Sequence, residues 1–177
     1  MASAVQLRAV ITGGPGTGKS TLLSALAAEG FQTFPEVARG ILQKPGGMAL
    51  RAERPAEFAI AMLDAERDAW FAAQGGISIY DRGFPDIAGF LELESIALSR
   101  PVDRACCNLR YSGPIFRAPP WRAIYTQDEE RFQSWNQATS SDRAVSAAWL
   151  RYGYELIVLP LASVAGRVQF VRDRLGA

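Results

Sequence analysis

Eight consecutive residues, Gly13-Gly14-Pro15-Gly16-Thr17-Gly18-Lys19-Ser20, fit the pattern G-x-x-x-x-G-K-[ST] at every fixed position. Such a loop does one kind of chemistry. Its glycines let consecutive backbone N–H groups turn inward onto phosphate oxygens, and a helix starting near Lys19 adds the positive end of its dipole. Lys19 is then expected to reach the β and γ phosphates of a nucleoside triphosphate, and Ser20 to coordinate Mg²⁺. The other reading, a glycine-rich turn without a ligand, has to account for the lysines. The chain holds 17 arginines but only Lys19 and Lys44 as lysines, so lysine is not used for general surface solvation, and one of the two fills the required slot.

Around such a loop the remaining chemistry should lie beyond the carboxyl ends of the strands. Glu36 and Arg39 follow the expected second strand, Asp81, Arg82 and Asp86 the third, Trp121 and Arg122 the fourth, and Ser163 and Arg167 the fifth. Asp81 ends its strand where the acidic partner of a phosphate loop belongs and would hold Mg²⁺ directly or through water; a turn or helix-capping aspartate is the alternative. Arg82 beside it favours a kinase, since a motor ATPase would more naturally place a second carboxylate there to polarise water. Glu36 can accept the proton of, or orient, a substrate hydroxyl attacking the γ-phosphate. It can also form a simple ion pair with Arg39. Phosphoryl transfer further calls for cations that close over the nucleotide. Arg131 and Arg143 are the candidates, with a solvated helix face as their other reading. Trp121 and Tyr125 would either wall an aromatic pocket or pack in the core.

Composition narrows the mechanism. With no histidine, acid–base work falls to carboxylates and no His metal ligand exists. The net charge of +1 argues against a nucleic-acid or polybasic membrane footprint. The adjacent Cys106 and Cys107 are too close for an ordinary disulfide and too few for a structural zinc site, so they read as thiols in a reducing compartment. No stretch approaches the roughly 18 apolar residues of a membrane span and no apolar leader opens the chain, so a cytoplasmic protein is expected. The 177 residues are enough for one substantial core and point to a single domain over 1–177.

Strands and helices must alternate to carry these groups. Residues 5–11 read as a buried strand running into the glycine loop, and Leu22, Leu23 and Leu26 follow at helical spacing, with Gly30 as terminator. Further strands are expected at 31–34, 77–81, 114–118 and 155–159. Helices are expected at 55–73, with Phe58, Met62, Ala65 and Ala69 on one face, and at 85–99. Segment 36–43 should start a helical or irregular crossing that Pro45-Gly46-Gly47 breaks, and residues 104–112 read as an irregular link. The acidic run Asp128, Glu129, Glu130 opens a helical stretch expected to break near 139–142, before a second helix at 144–152. Ser163 should cap a last helix reaching about Leu175. The fold class is therefore α/β: a P-loop NTPase with a five-stranded parallel sheet and helices on both faces.

The phosphate loop with Thr21, then Phe34-Pro35-Glu36-Val37-Ala38-Arg39, then Tyr80-Asp81-Arg82-Gly83-Phe84-Pro85-Asp86, and finally Gly153-Tyr154-Glu155-Leu156 with Ala162-Ser163-Val164 and Arg167-Val168, together resemble the NadR-like AAA-domain ATPase/kinase family over nearly the whole chain. The resemblance implies a nucleoside/nucleotide-kinase-like fold. It associates Glu36 with the acceptor hydroxyl, Asp81 and Arg82 with metal and substrate, and the neighbourhood of Ser163, Val164 and Arg167 with the nucleotide base. It also favours ATP, although no guanine-reading or decisive adenine-reading motif is visible and the loop suits GTP equally. The family includes ribosylnicotinamide kinase domains and members with regulatory or lipid-binding roles, and no residues remain here for an added adenylyltransferase domain. The leading expectation is thus transfer of the γ-phosphate of Mg-ATP to a hydroxyl of a small, nucleoside-like molecule. The alternative is a nucleotide-dependent binding switch, or regulatory ATPase, with slow hydrolysis and no acceptor. The acceptor's identity and the oligomeric state are left open, as is the role of residues 100–113.

Overall fold

A computed structural model describes residues 6–124 and 134–177. Five strands, β1 (Leu7–Thr12), β2 (Gln32–Phe34), β3 (Ile77–Asp81), β4 (Ile115–Arg117) and β5 (Leu156–Val158), form one sheet in the order β2-β3-β1-β4-β5. Every pairing is parallel. Parallel strands need crossovers, and eight helices surround the sheet in the described residues: α1 (Lys19–Ala28), α2 (Val37–Leu42), α3 (Gly47–Glu53), α4 (Pro55–Ala72), α5 (Phe84–Leu93), α6 (Arg100–Asn108), α7 (Trp135–Arg151) and α8 (Val164–Leu175).

The period-two alternation of β1 separates two apolar layers. Val10, Tyr80 and Ile115 face one side, where they meet Phe58 and Met62 of α4, Phe84 and Leu91 of α5 and Trp149 of α7. Ala9, Ile11, Ile79 and Phe116 face the other, where Leu22 and Leu26 of α1 and Val171 of α8 cover them. Since β1 and β3 are central and covered on both faces, they read as near-continuous apolar runs.

Three expectations are corrected. Residues 85–99 do not form one helix: α5 ends at Leu93, Ser95 takes a left-handed φ of 57°, and residues 104–112 are largely not an irregular link, because α6 begins at Arg100. Pro101 in the first turn starts α6, Ser99 standing at the N-cap position without a side-chain cap bond, and Val102, Ala105 and Cys106 form its buried stripe. Residues 139–142 do not break a helix either. Ser134 and Gln137 form a reciprocal capping box that starts α7. Its polar run then stays helical because Thr139 donates to the Trp135 carbonyl and the buried Asp142 pairs with Arg117. Beyond the break at Pro45, where Gly46 takes φ 78°, the chain forms α3, which the crossing segment had not disclosed. The acidic run 128–130 lies outside the described residues.

α5 and α7 lie backbone to backbone at Gly89, where an added Cβ would stand 2.8 Å from the Val145 Cα. Gly89→Ala is therefore expected to destabilise the protein by about 1–3 kcal/mol, read as a lowered Tm. An unchanged Tm would mean that the two helices part freely.

Candidate functional site

The loop that leaves β1 is fixed by contacts only glycine permits. At Gly13, with φ 130°, an added Cβ would lie 2.4 Å from the Ala118 carbonyl oxygen, and at Gly14 one would lie 2.6 Å from the Ala138 oxygen. Gly16 and Gly18 take φ 74° and 80°. The loop is thus clamped between the end of β4 and the backbone of α7. Lys19 is buried at the start of α1, and its Nζ donates to the Gly14 carbonyl at 2.7 Å. Burial first, then repulsion from Arg82, lower its pKa to about 8 against the attraction of Asp81, Glu36 and Asp86. Bound phosphate would supply the negative charge this ammonium lacks.

Asp81 and Ser20 meet beside it. The Ser20 Oγ donates to Asp81 Oδ2 at 3.3 Å, while Asp81 Oδ1 is buried without any hydrogen-bond partner. Desolvation, reinforced by Glu36, pushes the Asp81 carboxyl up to about 6 despite Lys19. A buried orphan carboxylate oxygen next to a hydroxyl fits a hard cation. Among the described residues no cluster of three carboxylate, Cys or His ligands exists. That donor set suits Mg²⁺, which keeps waters and takes phosphate oxygens alongside one or two carboxylates.

Arg82 follows Asp81 with φ 75°, a left-handed conformation unfavourable for arginine. Its guanidinium binds Glu36 Oε1 (2.8 Å), the Gly13 carbonyl (3.0 Å) and Asp86 Oδ1 (3.1 Å). Asp86 is itself buried and accepts from Thr12 Oγ1, Gly83 N and Trp149 Nε1. Burial opposes the Arg82 charge, but Glu36, Asp86 and Asp81 raise its pKa overall. Burial likewise opposes the Glu36 charge, yet Arg82 and Lys19 hold this carboxyl below its ordinary value, with Arg39 adding further positive potential. So Glu36 pairs with Arg82, an arrangement the alternative Glu36–Arg39 pair did not anticipate.

One cavity of about 780 Å³ is lined by the loop, by Glu36, Arg82 and Asp86, and by an apolar chamber wall of Met48, Phe58, Met62, Phe90 and Val145, with Arg39, Gln43, Arg51 and Ser141 also on it. The sequence reading missed a buried polar residue of this wall, Glu66. It is buried on α4 at i+4 from Met62 and i+8 from Phe58, and it accepts from the Tyr111 hydroxyl at 2.8 Å. An apolar stripe drawn through Ala65 and Ala69 passes beside it; the spacing from Phe58 and Met62 was the available signal. Desolvation pushes the Glu66 carboxyl up to about 8, Asp86 and Asp81 adding to the effect against the Tyr111 hydrogen bond. A carboxyl raised in this way stabilises the fold fully below its ordinary range, and that contribution is lost as pH rises through about 8. Glu66→Gln should therefore lose less stability than the parent between about pH 5 and 8, by on the order of a few kcal/mol in denaturant melts. Parallel curves would place Glu66 in water.

Elsewhere the candidates disperse. Ser163 Oγ accepts from Gly166 N and caps α8, with Val164 exposed at its start. Arg167 donates to the Thr17 and Pro160 carbonyls and lies over Trp121 at 5.0 Å, which sets the β5–α8 loop beside the phosphate loop. Arg122 lies 5.6 Å from the Trp135 ring and Arg143 is exposed on α7. Arg131 and Tyr125 lie outside the described residues. Cys106 is buried and Cys107 exposed, both as free thiols. No helix among the described residues is long and apolar enough to cross a membrane.

A family model described as AAA domain matches residues 8–167. No curated protein matches the chain. Solved structures that superpose on it include deoxyadenosine kinase from M. mycoides with dCMP and dCDP bound, at TM-score 0.71 and 15% identity, covering 96% of this chain and 98% of that one. The NadR protein in complex with NR superposes at TM-score 0.72 and 17% identity, covering 97% of this chain, which spans about half (52%) of that one. Shikimate kinase from Bacteroides thetaiotaomicron gives TM-score 0.60 and 14% identity, covering 97% and 99%. At these identities the likeness shows the fold, which is that of P-loop kinases.

Proposed function

Because the chain belongs to the AAA domain family, whose model spans residues 8–167, and carries the P-loop kinase fold, we propose that it moves the γ-phosphate of Mg-ATP to a hydroxyl of a small, nucleoside-like molecule, acting as a single kinase domain. The observation that supports this most is the continuity of the cavity: phosphate loop, Glu36, Arg82 and an apolar chamber line one space. A protein that only hydrolysed nucleotide would have no use for that chamber. The solved neighbours in complex with nucleotides or NR, including NadR with NAD and AMP-PNP, support a nucleoside-like acceptor and an adenine nucleotide.

In this reading the backbone from Gly13 to Ser20, with Thr21, cradles the triphosphate, and Lys19 leaves the Gly14 carbonyl for the β and γ phosphates. Ser20 and Asp81 would hold Mg²⁺, which supplies charge neutralisation to the phosphates when bound. Arg167, Ser163 and Val164 border the base. The acceptor oxygen forms its bond to the γ-phosphorus, the bond from that phosphorus to the β,γ-bridging oxygen breaks, and the acceptor proton passes to Glu36 as ADP leaves. Arg82, immobilised by Asp86 and the Gly13 carbonyl, steadies the transferring group, and Arg131 is proposed as the cation that closes over it.

The test is ADP release from Mg-ATP across a panel of nucleosides, ribosides and other hydroxyl metabolites, with the phosphorylated product identified by mass. Acceptor-dependent release is expected. ATP binding with slow hydrolysis indifferent to every acceptor would replace this reading by that of a nucleotide-dependent switch.

A further inference from the structure

The phosphotransfer scheme uses Glu36, Asp81 and the buried Asp86, and leaves one buried carboxyl on the cavity wall without a task. Glu66 is 3% exposed, and α4 sets it in line with Phe58 and Met62, all three lining the chamber. One of its oxygens, Oε1, accepts from the Tyr111 hydroxyl. Tyr111 is held in turn: its hydroxyl accepts from Phe84 N, its amide donates to the Tyr154 hydroxyl, and its ring packs against Tyr80 and Trp149.

The other oxygen has no hydrogen bond, and no cation pairs with the carboxyl, among the described residues. The groups that act on it electrostatically are Asp86 and Asp81, both acidic, with the Tyr111 and Tyr80 hydroxyls. A buried carboxyl facing two other carboxyls and no cation keeps its proton. With Oε1 already accepting, the proton sits on Oε2 as a donor. The cavity therefore offers an apolar, aromatic wall of Phe58, Met62 and Phe90 with a buried O–H donor set into it, while Arg39, Gln43, Arg51 and Ser141 also line the space.

We propose that Glu66 sets acceptor specificity: as a neutral carboxylic acid it donates a hydrogen bond to a carbonyl oxygen or unprotonated ring nitrogen of a flat, uncharged ring carried by the acceptor. This rests on the phosphotransfer reading above. A ring without an acceptor atom leaves the acid unpaired. Sites that hydrogen-bond a substrate group reject the analogue lacking it far more strongly than apolar pockets reject a missing methylene.

The probes are inosine and uridine, whose bases carry carbonyls, a phenyl C-riboside that lacks any acceptor atom, and a cationic pyridinium riboside. Each is followed by phosphorylation with Mg-ATP and, separately, by calorimetric binding without nucleotide. The parent should prefer a carbonyl-bearing riboside to the phenyl one. Glu66→Leu should raise KM for the former on the order of 10²-fold, with kcat little changed and the phenyl riboside unaffected. Glu66→Gln keeps an N–H donor and the Tyr111 bond, and should stay within about fivefold of the parent. If the leucine variant fails to fold, the parent's discrimination between inosine and the phenyl riboside reads the same hydrogen bond.

Phosphorylation with equal KM in parent and Glu66→Leu would overturn the assignment and leave the kinase reading intact. So would a preference for the pyridinium riboside that Glu66→Gln destroys, since Glu66 would then be an ionised partner. Ribosides that bind the parent but not Glu66→Leu, and are never phosphorylated, would uphold the assignment and overturn the kinase reading. No binding of any riboside would overturn both.

Discussion

Lys19→Ala should reduce phosphoryl transfer by on the order of 10³-fold, while the fold, read as Tm without nucleotide, holds or rises slightly. The asymmetry follows from the site's electrostatics. The Lys19 ammonium is buried, bonded to its own Gly14 carbonyl and repelled by Arg82, with its pKa lowered to about 8. Removing such a charge relieves the free protein. Once a triphosphate enters, the same ammonium is the one lysine able to follow the charge that gathers on the β and γ phosphates, and alanine has nothing to put there. ADP release and the thermal shift produced by Mg-ATP would both be measured. Retention of more than about a tenth of the parent rate would remove Lys19 from the transition state.

Glu36→Gln should lower kcat by roughly 10²- to 10⁴-fold, toward the lower end, with the Kd for ATP little changed. The low end follows from the carboxyl's depressed pKa, which Arg82 and Lys19 impose against burial. A weakly basic carboxylate contributes chiefly by aligning the acceptor hydroxyl, and a loose phosphoryl transition state asks for little more. Glutamine can still accept from Arg82 Nε, so Arg82 should remain in place and the variant isolates the charge. Single-turnover rates with a saturating acceptor give the comparison; an unchanged rate would assign Glu36 to holding Arg82 alone.

The phosphate half of this site was legible in the sequence because its requirements are local. Gly13 to Ser20 are consecutive, and Asp81 ends a strand whose bounds, 77–81, the apolar run and the Gly75-Gly76 stop mark out. The acceptor half was legible only in Glu36 and Arg82. Their pairing joins residues 46 positions apart and depends on β2 lying beside β3, which no periodicity reveals. Glu66 was hidden for a related reason: a charged residue within an amphipathic helix is assigned to solvent until tertiary contacts show that its face is lined by Phe58, Tyr111 and a cavity. The breaks expected at 139–142 and the link expected at 104–112 failed similarly. In α7 and α6 polar residues found partners or solvent without leaving the helix, and the cap at Ser134 and the first-turn Pro101 were stronger signals than the polar runs.

The order β2-β3-β1-β4-β5 puts β1 and β3 in the interior of the sheet and β2, three residues long, at its margin. Lys19, Ser20 and Asp81 hang from the interior strands, whose neighbours on both sides constrain every substitution. Glu36 and the helices α2, α3 and α4 hang from the margin and form much of the chamber wall, which Phe90 of α5 and Val145 of α7 complete. The architecture is thus modular in an evolutionary sense: the marginal part can be rebuilt for a new acceptor while the phosphate-handling centre is inherited intact, so lineages of this fold should diversify in what they modify long before they change what they use to modify it.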